Sequence, residues 1–143
     1  MNDSLVNRIR PKLLFVCVEN SCRSQMAEAF ARIHGTEMLE VFSAGSQPSG
    51  DVHPHAICLM AEIGYDLTVH RSQGLDEVPS TMFDVVVTMG CGDACPNIQT
   101  HHRLDWDIRD PKDLPLHESR KIRDDLGGRV VDLLDKIVLA GGS

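Results

Sequence analysis

Polar residues dominate the first ten positions, and the first apolar run, Leu13-Leu14-Phe15-Val16, follows directly. An unbroken run of this kind predicts a strand buried on both faces. From Ser24 to Ile33 the pattern changes period. Met26, Ala27, Phe30 and Ala31 recur as a helical stripe. Glu40–Ser43 predicts a brief second strand, closed by Ala44-Gly45 and a loop through Pro48-Ser49-Gly50. Ile57, Leu59, Met60 and Ile63 give helical spacing over His55–Ile63, and Gly64 stands where a C-terminal cap belongs. Valine-rich Val85–Met89, after Phe83-Asp84, predicts a third strand, and Arg103–Ile108 a fourth. A long amphipathic helix is expected from Leu116 to Leu139, with Ile122, Leu126, Val130, Leu133, Leu134 and Ile137 inside. Gly127-Gly128 would weaken it locally and mark a bend.

Strands alternating with helices predict an α/β fold whose parallel sheet is covered on both faces. No repeat, low-complexity tract or linker divides the chain. Residues 1–11 read as a loosely held leader and 12–143 as one domain. In such sheets ligands bind beyond the carboxyl ends of the strands. Cys17 follows the first strand, Cys91 and Cys95 the third, and Asp110 the fourth, so distant segments are expected at one rim.

Composition narrows the partners. With 42% hydrophobic and 24% charged residues in 143, the chain can bury a core without metals or disulfides. A formal charge of −7 argues against nucleic acid or a membrane surface as partner. An anionic ligand would be held by a local site against the overall field. No apolar run approaches the ~18 residues of a membrane span, and none follows the early charges as in a signal peptide. The expected compartment is the cytoplasm, where five cysteines read as thiols with chemical or packing roles.

The chemistry concentrates in Cys17-Val18-Glu19-Asn20-Ser21-Cys22-Arg23-Ser24, which runs from a strand into a helix. A tight loop entering a helix N-terminus aims backbone N–H groups inward as an anion nest, and the helix dipole adds to it. Arg23 can give two parallel hydrogen bonds to a tetrahedral anion, which lysine cannot. The same donors favour a thiolate at Cys17. Ser24 is placed to hydrogen-bond the sulfur and Asn20 to brace the loop. A buried, inert cysteine is the bland alternative, and the strand–loop–helix setting argues against it.

The run Leu14-Phe15-Val16-Cys17-Val18-Glu19-Asn20-Ser21-Cys22-Arg23-Ser24-Gln25-Met26-Ala27-Glu28 resembles the signature of the low-molecular-weight tyrosine phosphatase superfamily. The likeness is to its thioredoxin-coupled arsenate reductases. It continues through Ser43-Ala44-Gly45, His53-Pro54, Met60-Ala61-Glu62-Ile63-Gly64, Val86-Val87-Thr88-Met89, Trp106, Asp110-Pro111 and Arg120-Lys121-Ile122-Arg123-Asp124. The resemblance implies a flavodoxin-like three-layer sandwich, a four-stranded parallel sheet flanked by helices on both faces, with Cys17 as nucleophile. Asp110, before Pro111, falls where the superfamily has its general acid, which protonates the departing oxygen. By residue type alone it would be an Asp-Pro turn.

Cys91 and Cys95 discriminate between activities. A phosphatase needs one cysteine. A reductase needs a second thiol to attack the first sulfur and expel arsenite, after which disulfide exchange carries the oxidation to an external dithiol such as thioredoxin. Two cysteines four apart on a helical turn would have Cα atoms about 6 Å apart, within bridging range. Related reductases separate the relay cysteines by six residues, whereas here three intervene. Aligned from the strand end, Gly90 falls on the first relay position and Cys95-Pro96 on the second. Which of Cys91 and Cys95 attacks Cys17 stays open. A rival reading joins Cys91, Cys95, His101 and His102 in a zinc site, although the spacing matches no familiar finger. Cys22 either packs under the loop or forms a protective disulfide with Cys17. Cys58 is expected in the core, Trp106 as a packing residue, and His34, His53, His55, His70 and His117 in solvated or turn positions. By resemblance Asn20, Ser43 and Asp66, with Glu28 nearby, would form the potassium site of some of these reductases, although such residues also make caps and turns. No other cofactor is implied.

Three functions follow for testing. The first is a reductase of arsenate coupled to a dithiol donor. The second is a small phosphatase forming a cysteinyl-phosphate. The third is a non-enzymatic anion-binding or redox-sensing module. Tyrosine phosphatases of the superfamily place aromatic residues after the Asp-Pro, where this chain has Lys112-Asp113, and its one tyrosine is Tyr65.

Overall fold

In the computed structural model, residues 10–90 and 98–141 are described. Strands β1 (Lys12–Cys17), β2 (Glu40–Gly45), β3 (Phe83–Thr88) and β4 (Thr100–Asp105) form one sheet in the order β2-β1-β3-β4. Every pairing is parallel. The α-helices among the described residues are α1 (Arg23–Gly35), α2 (Pro54–Ala61) and α3 (Leu116–Gly141).

The strand β1 is central because its apolar run can be buried from both sides. Leu13, Leu14, Phe15 and Val16 have no exposed surface. Leu13, Phe15 and Cys17 face the main core with Met26, Phe30, Leu59 and Leu126 from the helices. Leu14 and Val16 face a smaller cluster with Phe83 and Val86, closed by Leu75, Val78 and Ile98. The sheet is thus the middle of three layers. Its second outer layer is thin among the described residues, built round a 3₁₀ turn, Leu75–Glu77.

The fourth strand begins and ends earlier than the apolar pattern suggests. It is the edge strand Thr100–Asp105, largely exposed, so its place comes from register with β3 rather than from an apolar run. Helix α2 also ends before Ile63, which is left exposed. Its inward positions are Ala56, Leu59 and Met60, which turn Cys58 outward; that cysteine is exposed, not core. Helix α3 runs unbroken through Gly127-Gly128. Gly127 packs against α1, where a Cβ would lie 2.8 Å from the Phe30 ring. No helix among the described residues is long and apolar enough to cross a membrane.

Register fixes the rim. Cys17 pairs with Gly45, Val16 with Thr88, and Thr88 with Asp105, so all four strands end at one level.

Candidate active site

Cys17 closes β1, and the loop after it turns directly into α1 at Arg23. The turn needs one left-handed residue, Asn20 at φ 50°. It also needs space on one flank, since a Cβ on Gly45 would sit 2.6 Å from the Val18 carbonyl oxygen.

Side chains beneath the loop hold it in one hydrogen-bonded web. Ser24 Oγ lies 2.9 Å from Cys17 Sγ. Asn20 Nδ2 donates to Ser24 Oγ at 2.7 Å and to Ser43 Oγ at 3.1 Å. Because Ser24 Oγ accepts from Asn20, its own proton is free for the sulfur, an arrangement suited to a thiolate. Gln25 Nε2 donates to the backbone and side-chain oxygens of Asn20 and to Arg71 O. Gln25 Oε1 therefore faces His70 Nδ1 at 2.9 Å, and His70 Nε2 meets the Tyr65 hydroxyl at 2.6 Å. An amide oxygen only accepts, so Nδ1 carries the His70 proton and Nε2 accepts from Tyr65. Burial, which lowers the His70 pKa, agrees with this neutral form. His70 is thus a buried brace of the loop and not a solvated residue. His55 likewise bonds Ser119 Oγ at 2.7 Å, whereas His53 keeps a turn position, capping α2, and His34 and His117 are exposed as expected.

Across the rim, Arg23 Nη1 donates to Ile108 O at 3.1 Å, and its Nη2 stands 3.7 Å from Asp110 Oδ2. Asp110 caps the turn Pro111–Asp113 by accepting from Lys112 N. Lys112 Nζ in turn reaches Glu19 Oε1 at 2.9 Å, a contact the residue pattern did not signal. It holds the Glu19 carboxyl below its ordinary range. A cavity of about 320 Å³ opens beside Arg23, lined by Gly90, Asp105, Trp106, Asp107 and Ile108. Trp106 borders this cavity and also packs on Phe15, their ring centroids 6.2 Å apart.

Cys22 is buried in the same loop. Burial first, then the negative charges of Asp110 and Cys17, push its thiol up to about 12. Cys91 and Cys95 lie outside the described residues. His101 and His102 are exposed neighbours on β4, and successive strand residues point to opposite faces, which does not suit one metal ion. No cluster of three or more His, Cys, Asp or Glu residues capable of holding a metal occurs among the described residues.

The residues named for potassium do not form a cage. Ser43 Oγ donates to Glu28 Oε1 at 2.6 Å, and the other Glu28 oxygen takes Arg32 Nε at 2.7 Å. Asn20 Oδ1 accepts from Gln25 and from Gln73 N. Asp66 is exposed and caps Leu67–Val69 through Thr68 N. The residue beside Asn20 and Ser43 is instead Gln73, which donates to Ser43 O. Asn20, Ser43 and Glu28 thus share one hydrogen-bonded network, which Asp66 does not join.

A cysteine closing the central strand, a strand-to-helix loop after it and an arginine beside a carboxylate define the class. The chain belongs to the low molecular weight phosphotyrosine protein phosphatase family, whose sequence profile matches residues 12–140. Among its relatives is the glutaredoxin arsenate reductase of Synechocystis sp., 38% identical over 129 residues, which cover 88% of this chain and 98% of that one. A solved arsenate reductase in its phosphate-binding state superposes with a TM-score of 0.82 at 38% identity, over 89% of this chain and 98% of the other. A thioredoxin-dependent arsenate reductase of Corynebacterium glutamicum gives a TM-score of 0.75 at 32% identity, over 96% of this chain and 67% of the other.

Proposed function

We propose that this protein reduces arsenate to arsenite, with Cys17 as nucleophile and an external dithiol as electron source. The observation that carries the reading is the Ser24 hydroxyl 2.9 Å from Cys17 Sγ, with its proton left free by Asn20. In the first step the Cys17 thiolate attacks arsenic(V), and an S–As bond forms as one As–O bond breaks. Asp110 protonates the departing oxygen, which leaves as water. Arg23 and the loop amides hold the remaining oxygens. In the second step a thiolate from Cys91 or Cys95 attacks the Cys17 sulfur. The S–As electron pair passes to arsenic, which leaves as arsenite, and the two sulfurs are oxidised to a disulfide. Exchange with thioredoxin, glutaredoxin or another dithiol restores the thiols. No resident cofactor is required, and the setting is the cytoplasm, where such donors keep cysteines reduced.

The test is purified protein with arsenate, thioredoxin, thioredoxin reductase and NADPH, following NADPH loss. Cys17→Ser should abolish turnover with the fold intact. Aryl phosphate hydrolysis by the native protein without any arsenate-dependent NADPH loss would place it with the phosphatases of its family instead.

A further inference from the structure

Glu19 and Lys112 stand 93 positions apart in sequence, yet their side chains meet at 2.9 Å. Glu19 is the second residue after Cys17 in the anion loop, and Lys112 the second after Asp110. The pair is therefore a second bridge between the segment bearing the thiol and the segment bearing the acid. Both ends are held in place. Ser21 Oγ lies 3.4 Å from the same Glu19 oxygen, and the Lys112 backbone is fixed by the Asp110 cap. The pair is also at the outside: the Lys112 and Glu19 side chains are 29% and 44% exposed, whereas Cys17 is 2% exposed. A half-exposed ion pair contributes little to stability, so its worth is sought in access to the sulfur.

We infer that Glu19 and Lys112 are a specificity-determining pair that narrows the mouth over Cys17, admitting a bare tetrahedral oxyanion and rejecting one that carries an aryl group. The inference rests on the oxyanion chemistry proposed above and deepens it. A free oxyanion needs only the loop and Arg23. An aryl ester must lead its ring out between the two segments, and there it must displace the ion pair. Selectivity then comes from an obstacle to the wrong ligand rather than a better grip on the right one.

A charge effect alone behaves differently. Glu19→Gln frees Lys112 and would tighten every anion, whereas Lys112→Ala leaves Glu19 unopposed and would weaken every anion. Neither change would alter the preference between two anions of like charge. Opening the mouth alters that preference in the same direction in both variants. The experiment is calorimetric measurement of Kd for inorganic phosphate and for phenylphosphonate, which cannot be hydrolysed, on the native chain, Glu19→Gln, Lys112→Ala and the charge swap Glu19→Lys/Lys112→Glu. In both single variants the preference for phenylphosphonate over phosphate should rise about tenfold, and the swap should return it toward the native value. An unchanged ratio in the single variants, or failure of any variant to bind phenylphosphonate while phosphate binds, overturns the inference. So does binding of neither ligand. Because no redox step is measured, absence of arsenate reduction would remove the proposed function and leave a shifted ratio intact.

Discussion

Gly90 joins backbone conformation to the anion site, and replacing it with alanine tests how finely Arg23 must be placed. Gly90 lies at φ +84°, and a Cβ there would stand 2.8 Å from Arg23 Nη1. Two costs follow. The left-handed backbone with a side chain costs about 1–2 kcal/mol of stability. Separately, the guanidinium must give way by about 0.6 Å to restore an ordinary contact of at least 3.4 Å. It cannot do so freely, because its Nη1 is bonded to Ile108 O at 3.1 Å. Misplacement by ~1 Å costs on the order of a hundredfold in rate, so a shift of this size predicts about a tenfold loss. Gly64 supplies the matched control. It also has a positive φ, +87°, where it closes α2, but nothing lies within 4 Å of its Cβ position. Urea unfolding should show similar destabilisation of Gly64→Ala and Gly90→Ala, while phosphate affinity and arsenate kcat/KM should fall only in Gly90→Ala. If Gly90→Ala kept oxyanion affinity within about twofold of native at the same loss of stability, the argument that Arg23 is held by contact would fail.

Two more predictions address the web and its support. Ser24→Ala removes the hydroxyl beside Cys17 Sγ; loss of a hydrogen bond to a charged group, about 1.5–3 kcal/mol, should lower kcat/KM about ten- to a hundredfold, and steady-state kinetics near native values would remove Ser24 from the chemistry. Hydrogen bonds first from Arg120 and then from Arg123 draw the Glu62 carboxyl from 4.5 to about 2. Between those values the folded chain binds fewer protons than the unfolded one, so this contribution is full above pH 4.5 and is lost as pH falls toward 2. Glu62→Gln should flatten the acid limb of the stability profile in that window, and denaturant melts of equal steepness in both proteins would contradict it.

The sequence reading succeeded where local pattern and tertiary role coincide. Leu13–Val16 reads as a doubly buried strand because nothing polar interrupts it, and the sheet does bury all four. The helical stripe after Cys17 places Met26, Ala27 and Phe30 inward as its spacing requires. Pattern failed at β4, since Thr100–Asp105 offers the core almost nothing and is recruited by backbone pairing with β3 and by the Thr88 hydroxyl, which donates to Asp105 Oδ1 at 2.9 Å. It failed at Cys58, because a helix as short as α2 has room for few inward positions, and its apolar neighbours suggested a wider buried face than exists. Residues that serve the site from afar carry no local signal either. His70 acts through Gln25, 45 positions away, and only the fold reveals that they touch. Asp66, read beside Asn20 and Ser43, caps its own turn instead, and Gln73 stands there, its backbone N–H donating to Asn20 Oδ1 and its side-chain amide to Ser43 O.

Arg23 and Lys112 show how a chain of charge −7 can receive an anion. At physiological salt the field of distant carboxylates is screened beyond ~8–10 Å, so binding is decided by groups at the mouth. There each cation has an acidic neighbour, but at different range. Lys112 is within hydrogen-bond distance of Glu19, at 2.9 Å, and an anion reaching it must compete with a formed bond. Arg23 is 3.7 Å from Asp110, beyond that distance, while its other nitrogen is oriented by the Ile108 carbonyl. A planar fork fixed on one edge and uncommitted on the other can take two oxygens without first breaking a strong pair. The distances therefore divide the work. Arg23 is left available to bind the oxyanion, and Lys112 is occupied in holding the mouth narrow. The proposed selectivity depends on that difference, because a rim whose cations were both free would hold aryl and inorganic anions alike.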